Sequence, residues 1–368
     1  MNQNNFDRGV LTPFVYIIIL NWNGWQDTIN CLDSVFRLEY GSYRVLVCDN
    51  GSTDGSIDRI LQWAEGKLPA HPERFHKPPR QTTRIQLKPI PAAVYDRKVA
   101  EMGGKDSDSE IPLILVSNGE NLGYAGGNNV GIRYALARDD FACVWILNND
   151  TEVDPGALST LVDRIANVPS AGLCGSTLLY LDKPTMVQSL GGFTYNRWFG
   201  TSRRCAEGTR YSPELAHSAQ QSIECGMFGV LGASVLATRQ FLREIGLMNE
   251  EYFLYFEEQD WAARTRGRFN LAYAPDSIVY HKEGATTAGQ SRCPETKSEL
   301  SDYYSIRSRI LFTRNFFPWA LPTVYLGLVG ALFNRLLRRQ WGRLGMILRL
   351  AIAPNRRFGD AAHTRQDC

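Results

Sequence analysis

The sequence predicts an α/β domain with crossover helices on a parallel sheet, and three observations carry that expectation. Four short apolar runs without polar alternation, Phe14 to Leu20, Tyr43 to Cys48, Leu113 to Val116 and Ala142 to Leu147, read as strands buried on both faces. Between them, Trp25 to Leu38, Ser56 to Ala64 and Gly126 to Ala137 carry apolar residues at the three- and four-residue intervals of a helix. The resulting order of strand, helix, strand, helix is that of a sheet covered by its own crossovers. At 368 residues, 44% hydrophobic and 11% aromatic, the chain can bury a full core as one large domain with an appendage.

Two segments depart from this rhythm. From Gly66 to Glu110 the chain has many prolines, mixed charges and no sustained period, which reads as an insertion or long, partly ordered loop. From Gly191 to Cys225 it is polar and turn-rich with interspersed Tyr195, Trp198 and Phe199, the composition of an acceptor-site flap. The domain is therefore placed at residues 11–315, with residues 316–368 as a separate C-terminal segment.

That last segment differs in chemistry. Between Tyr303 and Gly359 there is no Asp or Glu, while Arg307, Arg309, Arg314, Arg335, Arg338, Arg339, Arg343 and Arg349 all occur. On a helical wheel of Phe333 to Ile352, the last five of these arginines fall on one side, and Leu336, Leu337, Trp341, Leu344, Ile347 and Leu348 on the other. A basic amphipathic helix of this kind suits an anionic bilayer surface. Phe316 to Phe333 approaches the length of a span, but Pro318 and Pro322 interrupt it, so an interfacial or re-entrant hairpin is expected, the alternatives being a full span and a C-terminal helix packed on the enzyme or on a second subunit.

Charge and cysteine usage narrow the class. A net charge of +2 implies no nucleic-acid partner. Eight cysteines without a CxxC pair, four of them in or beside apolar runs, read as free thiols of a reducing compartment. Met1 to Gly9 is polar and carries an acid, and Phe14 to Leu20 is too short for a signal-peptide core, so the catalytic part is expected in the cytosol.

In open α/β sheets, ligands bind beyond the carboxyl ends of the strands, and two acids stand there. Asp49 closes one strand and opens the turn Asp49 to Ser56, where Asp54 can cap the next helix. Asn148-Asn149-Asp150 closes another, followed by Glu152 and by Asp154, a helix cap before Pro155. A hard cation such as Mg2+ or Mn2+ needs one or two carboxylates plus substrate phosphate oxygens, so Asp150 alone suffices chemically. Further on, Tyr252 to Trp261 places Glu257, Glu258 and Asp260 after an aromatic run at a helix start ending near Arg266. Glu258 is the candidate base.

Ile17 to Gly24, the Asp49 loop, Asn121-Leu122-Gly123-Tyr124-Ala125-Gly126-Gly127-Asn128-Asn129, Leu147 to Asp150 and Phe256 to Asp260 follow one another in an order and spacing that resembles the family 2 glycosyltransferases, in particular bacterial rhamnosyltransferases and related polysaccharide enzymes. The likeness covers roughly residues 14–315. It implies a GT-A fold with a Rossmann-like mixed sheet, a nucleoside-diphosphate sugar, dTDP-L-rhamnose being favoured and a UDP-sugar the alternative, and inversion at the anomeric carbon. It implies a glycan or lipid-linked acceptor and a place at the cytoplasmic face of the bacterial inner membrane.

Carried onto this sequence, the resemblance implies that Asp49 contacts the nucleobase, with Asn21, Asn23 and Ser52 beside it. Asn121, Gly126, Asn128 and Asn129 would line the nucleotide pocket, with Asn148 and Asn149. Asp150 would hold the metal, with His281 close to it, and Glu258, flanked by Glu257 and Asp260, would deprotonate the acceptor. Tyr303, Tyr304, Arg307 and Arg309 match a segment in which an arginine contacts diphosphate. Two departures stand out: Asn148 replaces the first acid of an Asp-x-Asp pattern, and Glu258 stands where the family more often has Asp. A Rossmann dehydrogenase lacks support, because no GxGxxG or GxxxxGK[ST] occurs; a non-catalytic sugar-nucleotide scaffold is the other alternative.

Overall fold

The computed structural model describes residues 12–70, 88–265, 267–282, 299–337 and 339–352. In the first half, β1 (Val15–Asn21), α1 (Trp25–Val35), β2 (Tyr43–Asp49), α2 (Ser56–Ala64), β3 (Ala92–Asp96), α3 (Arg97–Glu101), β4 (Leu113–Ser117), α4 (Gly123–Arg138) and β5 (Cys143–Asn148) follow one another. Strands β2 and β5 flank β1 in parallel, with Asn21 opposite Asp49 and Leu20 opposite Asn148. The register thus carries Asn21, Asp49 and Asn148 to one edge of the sheet.

The absence of polar alternation in β1 has a direct cause. Val15, Ile17 and Ile19 pack on one face against Leu32 of α1 and Trp63 of α2, while Tyr16 and Ile18 pack on the other against Val130 and Tyr134 of α4. Each such side chain contributes about 1.5–3 kcal/mol by leaving water. Helix α4 lies close on β1 because Gly127 and Gly131 share one of its faces. A Cβ at Gly127 would stand 2.3 Å from Leu20 Cδ1, and one at Gly131 would stand 2.8 Å from Ile18 Cγ2.

The second half holds β6 (Thr151–Val153), α5 (Ala157–Asn167), β7 (Ala171–Tyr180), β8 (Val187–Leu190), β9 (Gly192–Asn196), β10 (Thr201–Arg204), α6 (Pro213–Gly226), β11 (Gly229–Val230), β12 (Ser234–Thr238), α7 (Arg239–Ile245), α8 (Glu257–Thr265) and β13 (Asn270–His281). Among the described residues the main sheet runs β3-β4-β2-β1-β5-β12-β7-β13-β6, with β8 on β7. It is mixed rather than parallel throughout, because β12 runs antiparallel to both β5 and β7, and β6 antiparallel to β13.

Three expectations are corrected here. The insertion after Gly66 contains β3, which extends the sheet in parallel beyond β4, followed by α3; Asp96 ends the strand and caps α3 through the Val99 N–H. Residues 71–87 lie outside the described residues. The segment from Gly191 to Cys225 is β9 and β10, which form a small sheet with β11, followed by α6.

The third correction is the single helix expected over Phe333 to Ile352. After α9 (Glu299–Phe316) come α10 (Leu321–Leu337) and α11 (Trp341–Ile352), separated by a turn in which Arg339 is left-handed. Pro318 and Pro322 sit in first helical turns, where a missing N–H leaves no bond unmade, so they start α10 rather than break it. Arg335 and Arg343 turn inward, donating to the buried Asp302 of α9 at 2.6 and 2.8 Å. Tyr304 and Ile310 of α9 pack with Leu328, Met346 and Ile347, so the appendage is a three-helix unit. Leu336, Leu337, Trp341 and Leu348 remain exposed, as the wheel implied, whereas Ile347 is buried; Arg338 lies outside the described residues.

Candidate active site

At the carboxyl ends of β1 and β2, buried polar side chains hold one another in place. Asn21 Nδ2 donates to Asp49 Oδ1 at 2.6 Å and to Ser52 Oγ at 3.1 Å, while Asn21 Oδ1 accepts from Thr28 at 2.7 Å. Asp49 Oδ2 accepts from the Ser52 N–H at 3.0 Å. Asn23 Oδ1 accepts from the Thr53 N–H at 2.8 Å, closing the outer rim. Each carboxylate oxygen has two lone pairs, so Asp49 can still accept another donor. Neither Asp54 nor Ser56 caps α2 as expected: the N-cap is the left-handed Gly55, and Asp54, one residue before it, accepts from the Ser56 N–H.

Asn50, beside it, joins this cradle to the glycine-rich motif. It donates to Asn121 Oδ1 and Gly123 O, both at 3.0 Å, and accepts from Asn118 and from the Leu122 N–H. Gly123 is left-handed, and a Cβ there would stand 2.3 Å from Phe253 O, which the Tyr124 N–H meets at 2.7 Å. The start of α4 is thereby fastened to the loop preceding the Glu257–Glu258 pair.

Within the motif the side chains divide. Asn121 stands at the rim, whereas Asn128 and Asn129 are fully buried. Asn128 returns its amide to Tyr124 O, and Asn129 donates to Met248 O and Glu250 and accepts from the Met248 N–H. Gly126 allows the approach of Leu122, whose Cβ would lie 2.8 Å from an added Cβ. These three hold the wall rather than present polar groups at its surface.

The end of β5 builds the second corner. Asn149 donates to Thr28 Oγ1 at 3.0 Å. Strand β13 pairs with β6 so that His281 lies opposite Thr151, which brings His281 Nε2 to 3.1 Å from Asp150 Oδ1 and 3.4 Å from Asn148 Nδ2. Gln188 Oε1, on β8, lies 2.8 Å from His281 Nδ1; an amide oxygen only accepts, so Nδ1 carries the proton and Nε2 faces Asp150.

A divalent cation fits this corner. Asp150 Oδ1 is buried without a hydrogen-bond partner, and an imidazole nitrogen oriented through its other nitrogen is a common ligand arrangement. Among the described residues no third Cys, His, Asp or Glu completes a protein-only cage, which matches a cation that draws its other ligands from diphosphate and water.

The acid pair begins α8. Glu258 accepts from the Gly232 N–H at 2.8 Å, and Tyr124 donates its hydroxyl proton to Gly232 O at 2.8 Å. Burial pushes both carboxyls above the usual range, and the Glu258 charge raises Glu257 further; the Gly232 N–H and Arg204 pull Glu258 partly back. Glu257 is 3% exposed, with Oε2 unpartnered, while Glu258 is more open. Two adjacent buried acids resist ionising together, and the more open Glu258, held by the Gly232 N–H, is the better placed of the two to accept a proton. Asp260 faces elsewhere: it accepts from Arg264 at 2.6 Å and from Tyr252 at 3.2 Å, and it fixes α8 against the chain before it.

Sequence reasoning missed Tyr124, Gly232, Asn50, Thr28 and Gln188 as parts of the site. Burial raises the Tyr124 hydroxyl pKa, and the charge of Glu258 raises it further; both side chains bond to Gly232, Tyr124 to its carbonyl and Glu258 to its N–H. Its position inside the quoted motif was the available signal. Gly232 had none, since its role is spatial: a Cβ there would stand 2.2 Å from Glu258 Oε1. Gly232→Ala is expected to displace that carboxylate and lower kcat about a hundredfold with an unchanged nucleotide Kd. Steady-state kinetics beside nucleotide titration checks this.

The backbone before the pair is strained. Phe253, Tyr255 and Phe256 are all left-handed, at about 1–3 kcal/mol each. Helix α9 holds them: Ser308 donates to Leu254 O at 3.0 Å, Phe253 stacks on Tyr304 at 4.7 Å, and Arg307 donates to Glu251 O at 2.7 Å.

A mixed sheet with a polar cradle at the carboxyl ends of β1 and β2, Asp150 after β5 beside His281 at the end of β13, and an acid pair opening α8 is the arrangement of a GT-A protein, and the chain belongs to glycosyl transferase family 2, whose description matches residues 16–80 and 97–213. It is similar to the low-salt glycan biosynthesis hexosyltransferase Agl10 of Haloferax volcanii, 26% identical over 221 residues, 59% of this chain and 65% of that one. It is also similar to the N-acetylglucosaminyl-diphospho-decaprenol L-rhamnosyltransferase of Mycobacterium tuberculosis, 22% identical over 264 residues, 66% of this chain and 67% of that one. The chain thus spans about two thirds of the length of these relatives. In fold it is similar to a mannosyltransferase of Pyrobaculum calidifontis solved with GDP-Man and Mn2+, with a TM-score of 0.51, 14% identity, and coverage of 93% of this chain and 88% of that one.

Proposed function

We propose that the chain transfers a sugar from a nucleoside diphosphate to a hydroxyl of a glycan or lipid-linked glycan, with inversion, in cell-surface polysaccharide synthesis. The observation that carries this reading is the pairing of two sites: the acid pair, fastened with Tyr124 at Gly232, and the Asp150–His281 corner at the carboxyl edge of the sheet. Asn21, Asn23, Asp49, Ser52 and Asn121 form the nucleoside end. Asn148 and Asn149 shape the floor at the diphosphate, and Asp150 and His281 would hold Mg2+ or Mn2+, which supplies charge stabilisation to the leaving diphosphate.

The acceptor hydroxyl gives its proton to Glu258, its oxygen forms a bond to the anomeric carbon, and the bond from that carbon to the diphosphate oxygen breaks. Glu257, neutral, spares Glu258 a second adjacent negative charge. Asp260 positions the helix that carries them. dTDP-L-rhamnose is the donor favoured by the rhamnosyltransferase relative, and a UDP-sugar is the alternative.

The same reading places the chain peripherally on the cytoplasmic face of a bacterial inner membrane. Pro318–Leu337 is long and apolar enough to cross a bilayer by length and composition, and Trp319, Leu326, Val329, Phe333 and Leu337 are exposed. The full chain is expected to sediment with anionic vesicles, and Leu326→Glu with Phe333→Glu to release it; equal sedimentation of wild type and double variant would remove this placement.

The pH dependence follows from Glu258. A base works only when ionised, so kcat falls as pH drops through its pKa, which burial holds above the ordinary carboxylate range of about 4.3. The acid limb is therefore expected near neutrality, and it should vanish in Glu258→Gln. Product stereochemistry, read by proton NMR from a single round of transfer, tests the displacement: an anomer inverted relative to the donor is expected, and a retained one refutes direct attack.

A further inference from the structure

We infer that Arg309, Tyr195 and Thr313 form a phosphate site that holds the headgroup of a lipid-linked acceptor beside the acid pair. The inference rests on the proposed transfer to such an acceptor.

Arg309 and Thr313 lie four residues apart on one face of α9, and β9 aims Tyr195 at that face. The Tyr195 ring packs 5.3 Å from Phe312 and 5.9 Å from Phe317. Within this aromatic enclosure the Tyr195 and Thr313 hydroxyls, which face one another, and Arg309 Nε are all buried, and none of the three makes a hydrogen bond of good geometry. Buried polar atoms are nearly always satisfied, and three on adjoining residues call for a common partner. That partner must be an acceptor and an anion. A guanidinium cannot accept or lose its proton here, two hydroxyls can donate beside it, and a phosphate offers several strong acceptor oxygens.

Among the described residues no carboxylate pairs with Arg309. No Asp or Glu occurs from Tyr303 to Gly359, and the group felt by the Arg309 guanidinium is Tyr195, not a carboxylate. Arg307, two residues earlier, is instead engaged with the backbone of the loop before the acid pair.

Location identifies the source of the phosphate. The stem of Arg309 runs beneath Gly200, left-handed, where a Cβ would stand 2.9 Å from Arg309 Cγ and 3.3 Å from Val324 of α10. The turn containing Gly200 raises Trp198, 58% exposed, edge-to-face at 4.5 Å on Trp319, 51% exposed. Exposed tryptophans at the foot of an apolar helix mark headgroup depth in a bilayer. On the opposite side, Tyr195 lies 6.4 Å from Phe256, the residue before Glu257. A phosphate at Arg309 therefore directs its lipid along α10 and its sugar toward Glu258.

Full-length protein is sedimented with phosphatidylcholine vesicles with and without a polyprenyl monophosphate. The phosphate lipid is expected to strengthen binding about tenfold, the scale of one charge-assisted contact. Arg309→Met should lose that gain, Arg309→Lys should keep part of it, and the melting temperature and nucleotide Kd should show that both variants are folded. Equal lipid preference in wild type and Arg309→Met overturns the site. So does equal binding to phosphatidylglycerol vesicles of matched charge, or Arg309-dependent stabilisation by inorganic phosphate without preference for the lipid. Hydrolysis of donor by water needs no acceptor and reads the transferase assignment separately: a chain that releases nucleoside diphosphate yet shows no Arg309-dependent lipid preference refutes the phosphate site alone.

Discussion

Glu258→Gln is expected to lower kcat by about a hundred- to ten-thousandfold, the range that a positioned general base supplies, with little change in nucleotide Kd. The substitution keeps an oxygen to accept from the Gly232 N–H and removes the capacity to take the acceptor proton. Glu257→Gln is the control. Burial and the Glu258 charge both favour its neutral form, so the amide is the milder change and the loss is expected to be smaller. Comparable losses in the two variants would place the base elsewhere or make the pair act as one unit. Glu258→Asp should recover little, since the shorter chain withdraws the carboxylate from Gly232 and Tyr124.

Asp150→Ala carries the second large effect. Lewis-acid stabilisation of a leaving diphosphate supplies several kcal/mol, so turnover should drop by roughly two to three orders of magnitude. Titration calorimetry with Mn2+ and nucleoside diphosphate together should show the metal contribution to nucleotide affinity vanish. His281→Ala is expected to follow in the same direction with a smaller loss, because Asp150 contributes the charge and His281 the second donor. Unaltered Mn2+ dependence in Asp150→Ala would move the cation away from this corner.

How far the sequence carried these conclusions can be judged element by element. The strands and crossover helices of the first half were legible because each is buried on both faces or on one stripe, and apolar spacing records burial directly. Asp49 and Asp150 were legible because strand-end acids stand out against apolar runs. Strand β3 was not, since only Tyr95 of its five residues is buried and it follows a proline-rich stretch. The antiparallel β12 reads as an apolar run like any other, and direction leaves no mark on composition.

Within the site, polar residues in motifs were visible, but their division of labour was not. Asn128 and Asn129 differ from Asn121 only in burial, and Asp260 differs from Glu258 only in having Arg264 one helical turn away. The C-terminal wheel, drawn as one helix, could not see Asp302, a buried acid that draws Arg335 of α10 and Arg343 of α11 inward.

The most direct test of the central claim is release of nucleoside diphosphate by the purified chain over a panel of dTDP-, UDP- and GDP-sugars, with Mn2+ or Mg2+ and then with chelator. Metal-dependent release from one donor, lost in Glu258→Gln once acceptor is supplied, is the predicted result. Tight binding of a donor without release, even with membrane lipid acceptors present, would contradict it and assign the chain a nucleotide-sugar-binding scaffold role.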